Sequence, residues 1–437
     1  MRRRANSALS SALASAAAIA HQVATKRISL QTAHAAHTTR WRADDAAAAR
    51  DAAAGTLRFF HRADALIDAS LFGCPPETWS TAEEPVMRML LAAALFKSFD
   101  DKARPAVSSR RLCEAAASAA AVLGREKLSA RVVCVLENAL LVPTPLAPTA
   151  MLSLPRWLHD DLRKAHGARL FGRYALMLLQ RPDSLGLNVD PARWTPAAYS
   201  DELRRQGMEA APLGPFAPNG VLLRSRPRHV EQLVGFASPV PSVFVQDGVQ
   251  QWAAAQLGYA LREDTLVLDC CSAPGGKTKA LLHHQPRLRV VALERSSTKA
   301  KLLRHVFSKD ERVRVVCGDA LEPSKWWSVG REGHFSAILF DAPCTGTGIM
   351  RSRPEVKLHQ TAESAVTLAS TQDAMLSALW PLLEPGGALH YVTCSILDVE
   401  NGRVVKDFAA RTADAELVAP DMPMAAQQSP PAMKPTA

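Results

Sequence analysis

Residues 265–278 read TLVLDCCSAPGGKT: an apolar run, an acid, two thiols, then a proline and two glycines ahead of a lysine. Four further apolar runs follow it, RVVALE (289–294), VRVVCG (313–318), FSAILFD (335–341) and GALHYVTC (387–394), separated by helical spans or loops. Strands alternating with helices predict a parallel sheet covered on both faces, an open α/β architecture that places ligands at the carboxyl ends of its strands. Each run ends in a polar or reactive residue, which is where chemistry belongs in such a sheet.

The first end is Asp269–Thr278. Two glycines after a strand let a ligand approach the backbone closely. The loop matches neither G-x-G-x-x-G nor the phosphate loop, so neither a dinucleotide nor a nucleoside triphosphate is indicated. Glu294, at the second end, suits hydrogen bonds to ribose hydroxyls. Asp319 follows the third run and suits an adenine amino group; Asp341 closes the fourth. Acids at successive strand ends repel a phosphorylated cofactor and suit a nucleoside bearing positive charge, such as S-adenosylmethionine with its sulfonium.

The fourth run continues as FDAPCTGTG (340–348), with Cys344 three residues after Asp341, and the fifth ends on Cys394. Neighbouring strands would bring Asp341, Cys344 and Cys394 to one place. Carbon 5 of a pyrimidine is a poor nucleophile. A thiolate adding at carbon 6 makes carbon 5 enamine-like and able to take a methyl group from a sulfonium, splitting a difficult step into easier ones. A carboxylate at the ring's N3 and amino edge would stabilise the developing charge. The plain alternative is that both thiols are small buried hydrophobes.

Upstream, residues 44–142 read as helices, carried by the stretches 51–72, 83–99, 108–123 and 127–142 with apolar residues at helical spacing. Pro143–Pro155 is proline-rich and reads as a linker. A further helix is expected over 156–180, then a mixed region to about 236 with one helix (196–208) and short strands such as GVLLRS (220–225). The first 43 residues carry Arg and Lys but no acid and are rich in Ala and Ser. That composition fits an organellar presequence, or a first helix over 5–24 built on alanine.

The chain has 437 residues, 48% hydrophobic and 22% charged, enough to bury more than one core. A formal charge of +10 favours a polyanionic partner such as nucleic acid. The eight cysteines form no C-x-x-C pair, which argues against a zinc site and a disulfide framework. No apolar run approaches the ~20 residues that span a bilayer.

Asp269–Thr278, FDAPCTGTGIMRSRPEVK (340–357) and HYVTCSI (390–396), in this order and spacing, resemble the signature motifs of the RsmB/Sun family of RNA 5-methylcytosine methyltransferases. DAAAGTLRFFHRADALID (51–68) resembles the G-x-L-R stretch of that family's NusB-like N-terminal domain. The resemblance implies a Rossmann-like, S-adenosylmethionine-dependent methyltransferase domain preceded by an all-α NusB-like domain. It places the helical domain at 1–142, a connecting region at 143–238, the catalytic domain at 239–419 and a disordered tail at 420–437. It implies cytosine-5 methylation of RNA, with small-subunit ribosomal RNA as the expected substrate, in a cytoplasmic monomer that needs neither metal nor membrane. A presequence would instead make it mitochondrial or plastid.

By the same resemblance Cys394 is the nucleophile, Cys344 assists product release, Asp341 orients the cytosine, and Lys277 lies nearby. The cofactor loop is Cys271, Ser272, Ala273, Pro274, Gly275, Gly276 and Lys277, with Glu294 at the ribose, Asp319 at the adenine and Asp341 bordering both sites. Arg351 and Lys357 are expected near RNA. The chain departs from the family pattern in having Glu294 for Asp and Leu358 for an aromatic residue, and its tail reads as lacking a closing aromatic strand. An RNA-binding assembly factor that kept the fold without catalysis is the rival from another class; a small-molecule methyltransferase has no use for the basic N-terminal domain.

Overall fold

The computed structural model describes residues 2–38, 43–71, 84–99, 107–141, 147–227, 229–237 and 241–418. The chain divides into two compact units. The first comprises Met1–Arg181 together with two later pieces, Thr345–Ala365 and Cys394–Leu397; the second comprises Pro182–Cys344, Val366–Thr393 and Asp398–Ala437. This differs from the expected boundaries at 142 and 238. The helical unit runs further and recruits two segments from the catalytic region, while the small mixed region clusters with the large sheet.

In the helical unit the helix Arg2–Lys26 is the spine of the core, with Leu13, Ala16, Ile19, Ala20 and Val23 fully buried. Alanine both favours the helix and lets neighbours approach closely. The helices Ala43–Arg58, Glu84–Phe99 and Ser109–Val122 pack on it. Residues 5–24 therefore form a core helix, as a first helix should. The last of the three is capped by Ser108, whose side chain accepts from Arg111 N. The stretch expected as one helix over 51–72 is broken at Phe59 (φ −103°, ψ 12°), and a second helix covers Phe60–Ser70. The helix Arg156–Leu179 bends at Gly167, whose φ is 69°.

The proline-rich stretch is not a plain linker. Pro148–Met151 forms a helical turn, and Ser153 and Leu154 behind it are buried. Proline suits the first turn of a helix as well as it suits a linker, so composition alone misleads here.

The second unit holds two sheets. Strands β1 (Leu185–Val189), β2 (Ala210–Pro212), β3 (Gly220–Leu223) and β4 (Val243–Val245) form an antiparallel sheet in the order β2-β3-β1-β4. Strands β5 (Leu266–Cys270), β6 (Arg289–Glu294), β7 (Val313–Cys317), β8 (Phe335–Asp341) and β9 (Leu383–Val392) form a parallel sheet in the order β7-β6-β5-β8-β9. All five expected runs are strands. Alternate residues of the central strands enter different cores: Leu268, Ile338 and Phe340 pack in one, Val267, Ala337 and Leu339 in the other. Burial on both faces is why these strands read as continuous apolar runs. The order reverses between β5 and β8, the switch point where an open sheet makes its crevice. Strands β7 and β9 are the two edges among the described residues, and none of the residues of β9 is fully buried. The expected tail at 420–437 lies outside the described residues.

Candidate active site

Strand β5 delivers the chain into a tight turn: Cys271 has φ 62°, the Ala273–Pro274 bond is cis, and Gly275 has φ 97° as the residue before the helix Gly276–His284. A Cβ on Gly275 would also lie 2.8 Å from the Phe307 ring, so the position requires glycine twice over. Gly276 differs, because the nearest atom to its absent Cβ is Gln246 Nε2 at 3.6 Å. Internal packing does not demand that glycine, and the open space suits a ligand lying against the backbone at a helix N-terminus.

Beneath the loop, Asp269 is fully buried. Its Oδ2 accepts from Thr278 and its Oδ1 has no hydrogen-bond partner. Burial pushes its carboxyl up to about 6, with the Asp341 charge adding to the effect. Glu294 ends β6 and is buried, with Oε1 accepting from Ser296 N at 2.8 Å. Its carbonyl accepts from Gly318 N at 3.2 Å, which ties the end of β6 to the turn after β7. In that turn the partly exposed Asp319 caps Leu321 N (3.0 Å) and faces Arg295 at 3.5 Å. The buried acid at β6 and the shallower one after β7 suit a nucleoside lying across these strand ends, with Gly276 at its other end.

At the end of β8, Asp341 Oδ2 accepts from Lys277 Nζ at 2.6 Å. The lysine side chain is 10% exposed and the carboxylate 32%, so one face of the pair is open. The family resemblance implied Lys277 near Asp341, and the two are in contact here. Asp341 is register partner to Val392 of β9, and Ala342 N donates to Val392 O at 2.8 Å. Beyond it, Pro343 O accepts from Gln372 Nε2 (2.9 Å), and Gln372 Oε1 accepts from the Tyr391 hydroxyl (2.8 Å). Burial pushes the Tyr391 hydroxyl up, and Cys344 nearby raises it further. The backbone just before Cys344 is thus pinned by the buried Gln372, itself held by the half-buried Tyr391, which the sequence did not suggest. Nothing in an apolar helical stretch marks a buttressing glutamine.

Cys394 belongs to the helical unit. Its carbonyl accepts from Gly348 N at 2.8 Å. Thr347 Oγ1 lies 3.1 Å from Ser395 Oγ and accepts from Ile396 N at 3.1 Å. A Cβ on Gly348 would come 2.7 Å from the Cys394 carbonyl oxygen, so this glycine is fixed by close approach. Neither Thr347 nor Ser395 was expected to matter. The signal was present in the tripeptides TGT and CSI, whose hydroxyls flank the thiols.

One expectation needs correction. Lys357 is 4% exposed, and its ammonium donates to Arg58 O and to Ser153 O (2.7 Å). Burial pulls it down to about 7, with the Arg58 charge adding. A cation so enclosed presents nothing to an RNA phosphate. Arg351 is half-buried, and its carbonyl accepts from Arg58 Nη2 at 3.0 Å. Leu358, in place of an aromatic, packs partly buried against the helical core. Among the described residues there is no His/Cys/Asp/Glu group able to hold a metal, and no helix is long and apolar enough to cross a membrane.

The family model described as 16S rRNA methyltransferase RsmB/F matches residues 257–433. A "Ribosomal RNA small subunit methyltransferase B" of Xanthomonas campestris is 36% identical over 305 residues, which are 69% of this chain and 67% of that protein. The protein of the same name from Vibrio cholerae is 40% identical over 236 residues, 54% of this chain and 52% of its own. Against several of these relatives the chain thus spans little more than half their length. Among solved structures, "Crystal Structure of PH0851" superposes with a TM-score of 0.68 at 19% identity, over 91% of this chain and 89% of that one. NSun6 from Pyrococcus horikoshii with SFG gives 0.50 at 17%, over 59% and 87%. At such identities these two establish the shared fold.

Proposed function

The chain belongs to the 16S rRNA methyltransferase RsmB/F family, and on that premise we propose that it methylates carbon 5 of a cytosine in small-subunit ribosomal RNA. The observation that carries the proposal is the Lys277–Asp341 pair at the end of β8, in register with the strand that runs on to Cys394. S-adenosylmethionine, when bound, supplies an electrophilic methyl group. The turn Cys271–Lys277 suits its approach to the backbone, Glu294 its ribose and Asp319 its adenine; that NSun6 was solved with SFG is in keeping with a ligand on this fold.

Cys394 adds as thiolate to carbon 6 of the cytosine, which makes carbon 5 nucleophilic. Asp341 meets the N3 and amino edge of the ring, where charge builds as the thiolate adds. Lys277 holds that carboxylate in place. After methyl transfer the carbon 5 proton passes to water, its bond electrons re-form the C5–C6 double bond as the C6–S bond breaks, and Cys344 assists this expulsion of the Cys394 thiolate. The target base must be unstacked to expose its ring face, which favours a loop or helix end. The excess of 52 Lys and Arg over 42 Asp and Glu serves phosphate contacts, so binding should weaken with salt.

Bisulfite sequencing of small-subunit ribosomal RNA from cells with and without the gene tests the reading directly. One cytosine should lose its protection in the deletion and regain it on complementation. An unchanged pattern, with purified protein inactive on that RNA, overturns the methyltransferase reading in favour of an assembly factor.

A further inference from the structure

Residues 346–359 form a strap inside the helical unit. At its far end three alternate residues are fastened to helix ends. Glu355 Oε1 accepts from Leu30 N (3.2 Å) at the start of the helix Leu30–Thr38. Lys357 donates to Arg58 O, at the end of the helix Ala43–Arg58, and to Ser153 O, just past the turn Pro148–Met151. His359 Nε2 bonds Val23 O (2.8 Å), and Arg27 donates to the His359 carbonyl. Helix ends carry the backbone groups that a helix leaves unpaired, so each fastening satisfies a need of the bundle as well as of the strap. Hydrogen-bonded turns carry the chain between its two ends, Ile349 O accepting from Ser352 N (3.0 Å) and from Arg353 N (2.8 Å), and Arg353 O from Val356 N (3.2 Å). At the near end Gly348 N donates to the Cys394 carbonyl, and Thr347 Oγ1 accepts from Ile396 N and meets the Ser395 hydroxyl.

We propose that Lys357 is a positioning residue for attack by Cys394, acting through this strap to fix the backbone that carries the thiol. The proposal rests on the reading of Cys394 as the nucleophile. Burying an ammonium is costly, and an apolar residue of similar length fills the same space at less cost. What the apolar residue cannot do is donate to two carbonyls on separate helical elements at once. The neighbouring His61, half-buried, is pulled down to about 4 by burial with the Lys357 charge adding, so it brings no second cation to this place. The helical unit is thereby part of the catalytic machinery in a mechanical sense: it sets where the nucleophile stands. It does so without touching substrate.

The test uses full-length protein and RNA carrying 5-azacytidine, on which attack leaves an adduct that survives denaturing electrophoresis. Lys357→Met keeps length and removes the donors. At saturating RNA and S-adenosylmethionine, adduct formation should slow by about 10–100-fold, the range expected when a reacting group is displaced by up to an ångström. Cofactor affinity, read by calorimetry, should stay at the parent value. A purely structural lysine would lower the melting temperature and leave the rate per folded molecule unchanged, and that result overturns the proposal. Loss of cofactor affinity in parallel with rate also overturns it, because the defect is then global. Should Lys357→Met fail to fold, Thr347→Val cuts the strap at its other end: slowed attack supports the proposal, the parent rate refutes it. A parent protein that forms no adduct while methylating the RNA removes the covalent reading and this inference with it.

Discussion

The cofactor turn and the surroundings of Cys394 are both tight backbone sites at strand ends, yet they are built in opposite ways. The turn lies within Cys271–Lys277, and its main requirements, left-handed backbone at Gly275 and open space at Gly276, are met by its own residues. Cys394 is held by the strap, which is held in turn by Val23, Arg27, Leu30, Arg58 and Ser153, residues spread from position 23 to position 153. A local motif can specify the first; only the tertiary fold can specify the second. The contrast teaches that the two sites draw on the chain at very different ranges.

The sharpest way to break this contrast is at the thiols. Cys394→Ala should abolish methyl transfer and adduct together, reducing both to background. Cys344→Ala should still attack and methylate but release slowly, so a protein–RNA adduct accumulates on ordinary RNA. The order of events dictates this: a residue needed for attack acts before the adduct and one needed for release acts after it. If Cys394→Ala traps the adduct and Cys344→Ala does not, the two roles are exchanged.

Next in size is Gly348→Ala. The added methyl would sit 2.7 Å from the Cys394 carbonyl oxygen, a backbone atom, so the backbone at residue 348 and Cys394 must shift apart. A displacement of that kind costs roughly 100-fold in rate. Titrating the variant with S-adenosylmethionine should give the parent affinity, because the cofactor turn is specified locally. A variant with parent turnover would show that Cys394 tolerates movement and that the strap has no positioning work to do.

How much of this was legible in the sequence follows the same division. The five strands of the large sheet were readable because both faces of the central strands are buried, so Leu266–Cys270 and Phe335–Asp341 present uninterrupted apolar runs. Strand ends then advertised Glu294, Asp319 and Asp341, whereas Lys277 beside Asp341 was implied by the family resemblance alone. Lys357 was expected near RNA on the resemblance alone, and nothing local marks its burial, since its acceptors lie about 200 and 300 residues away. A hint stood beside it: Pro354, Val356 and Leu358 alternate with Glu355 and Lys357, an apolar partner for every charge. Pro143–Pro155 was misjudged for the converse reason, since its prolines are equally at home in a linker and in the first turn of a helix.

A smaller effect probes the local side of the comparison. Glu294 is buried and keeps Oε1 on Ser296 N. Glu294→Ala should weaken S-adenosylmethionine by ~1–3 kcal/mol, the worth of a hydrogen bond to a charged group, and lower the thermal shift the cofactor gives at a fixed concentration. Adduct formation at saturating cofactor should be little changed. Unaltered affinity would remove Glu294 from the cofactor site.

The smallest expected effect concerns Asp269, under the same turn. Its carboxyl is raised from 3.8 to about 6 because burial outweighs the hydrogen bond from Thr278. Between those two values the folded chain holds a proton that the unfolded chain has released. The contribution of this group to stability is therefore greatest below about pH 3.8, falls as pH rises through the window, and is fully lost above about 6. The shift corresponds to at most about 3 kcal/mol; relaxation of the surroundings brings the realised effect nearer ~1 kcal/mol. Asp269→Asn keeps an oxygen for Thr278 and removes the charge, so at pH 7.5 the cofactor-free variant should be the more stable by that amount. The excess should shrink on acidification and vanish near pH 4. Denaturant melts of parent and variant at matched pH decide the matter, and it is the difference between the two curves that counts, since other carboxylates titrate in the same range. Parallel curves from pH 4 to 7.5 would mean that Asp269 is ionised in the folded state without penalty. Its Oδ1 would then have a partner after all, and the turn above it would be held by a charge instead of by its own backbone.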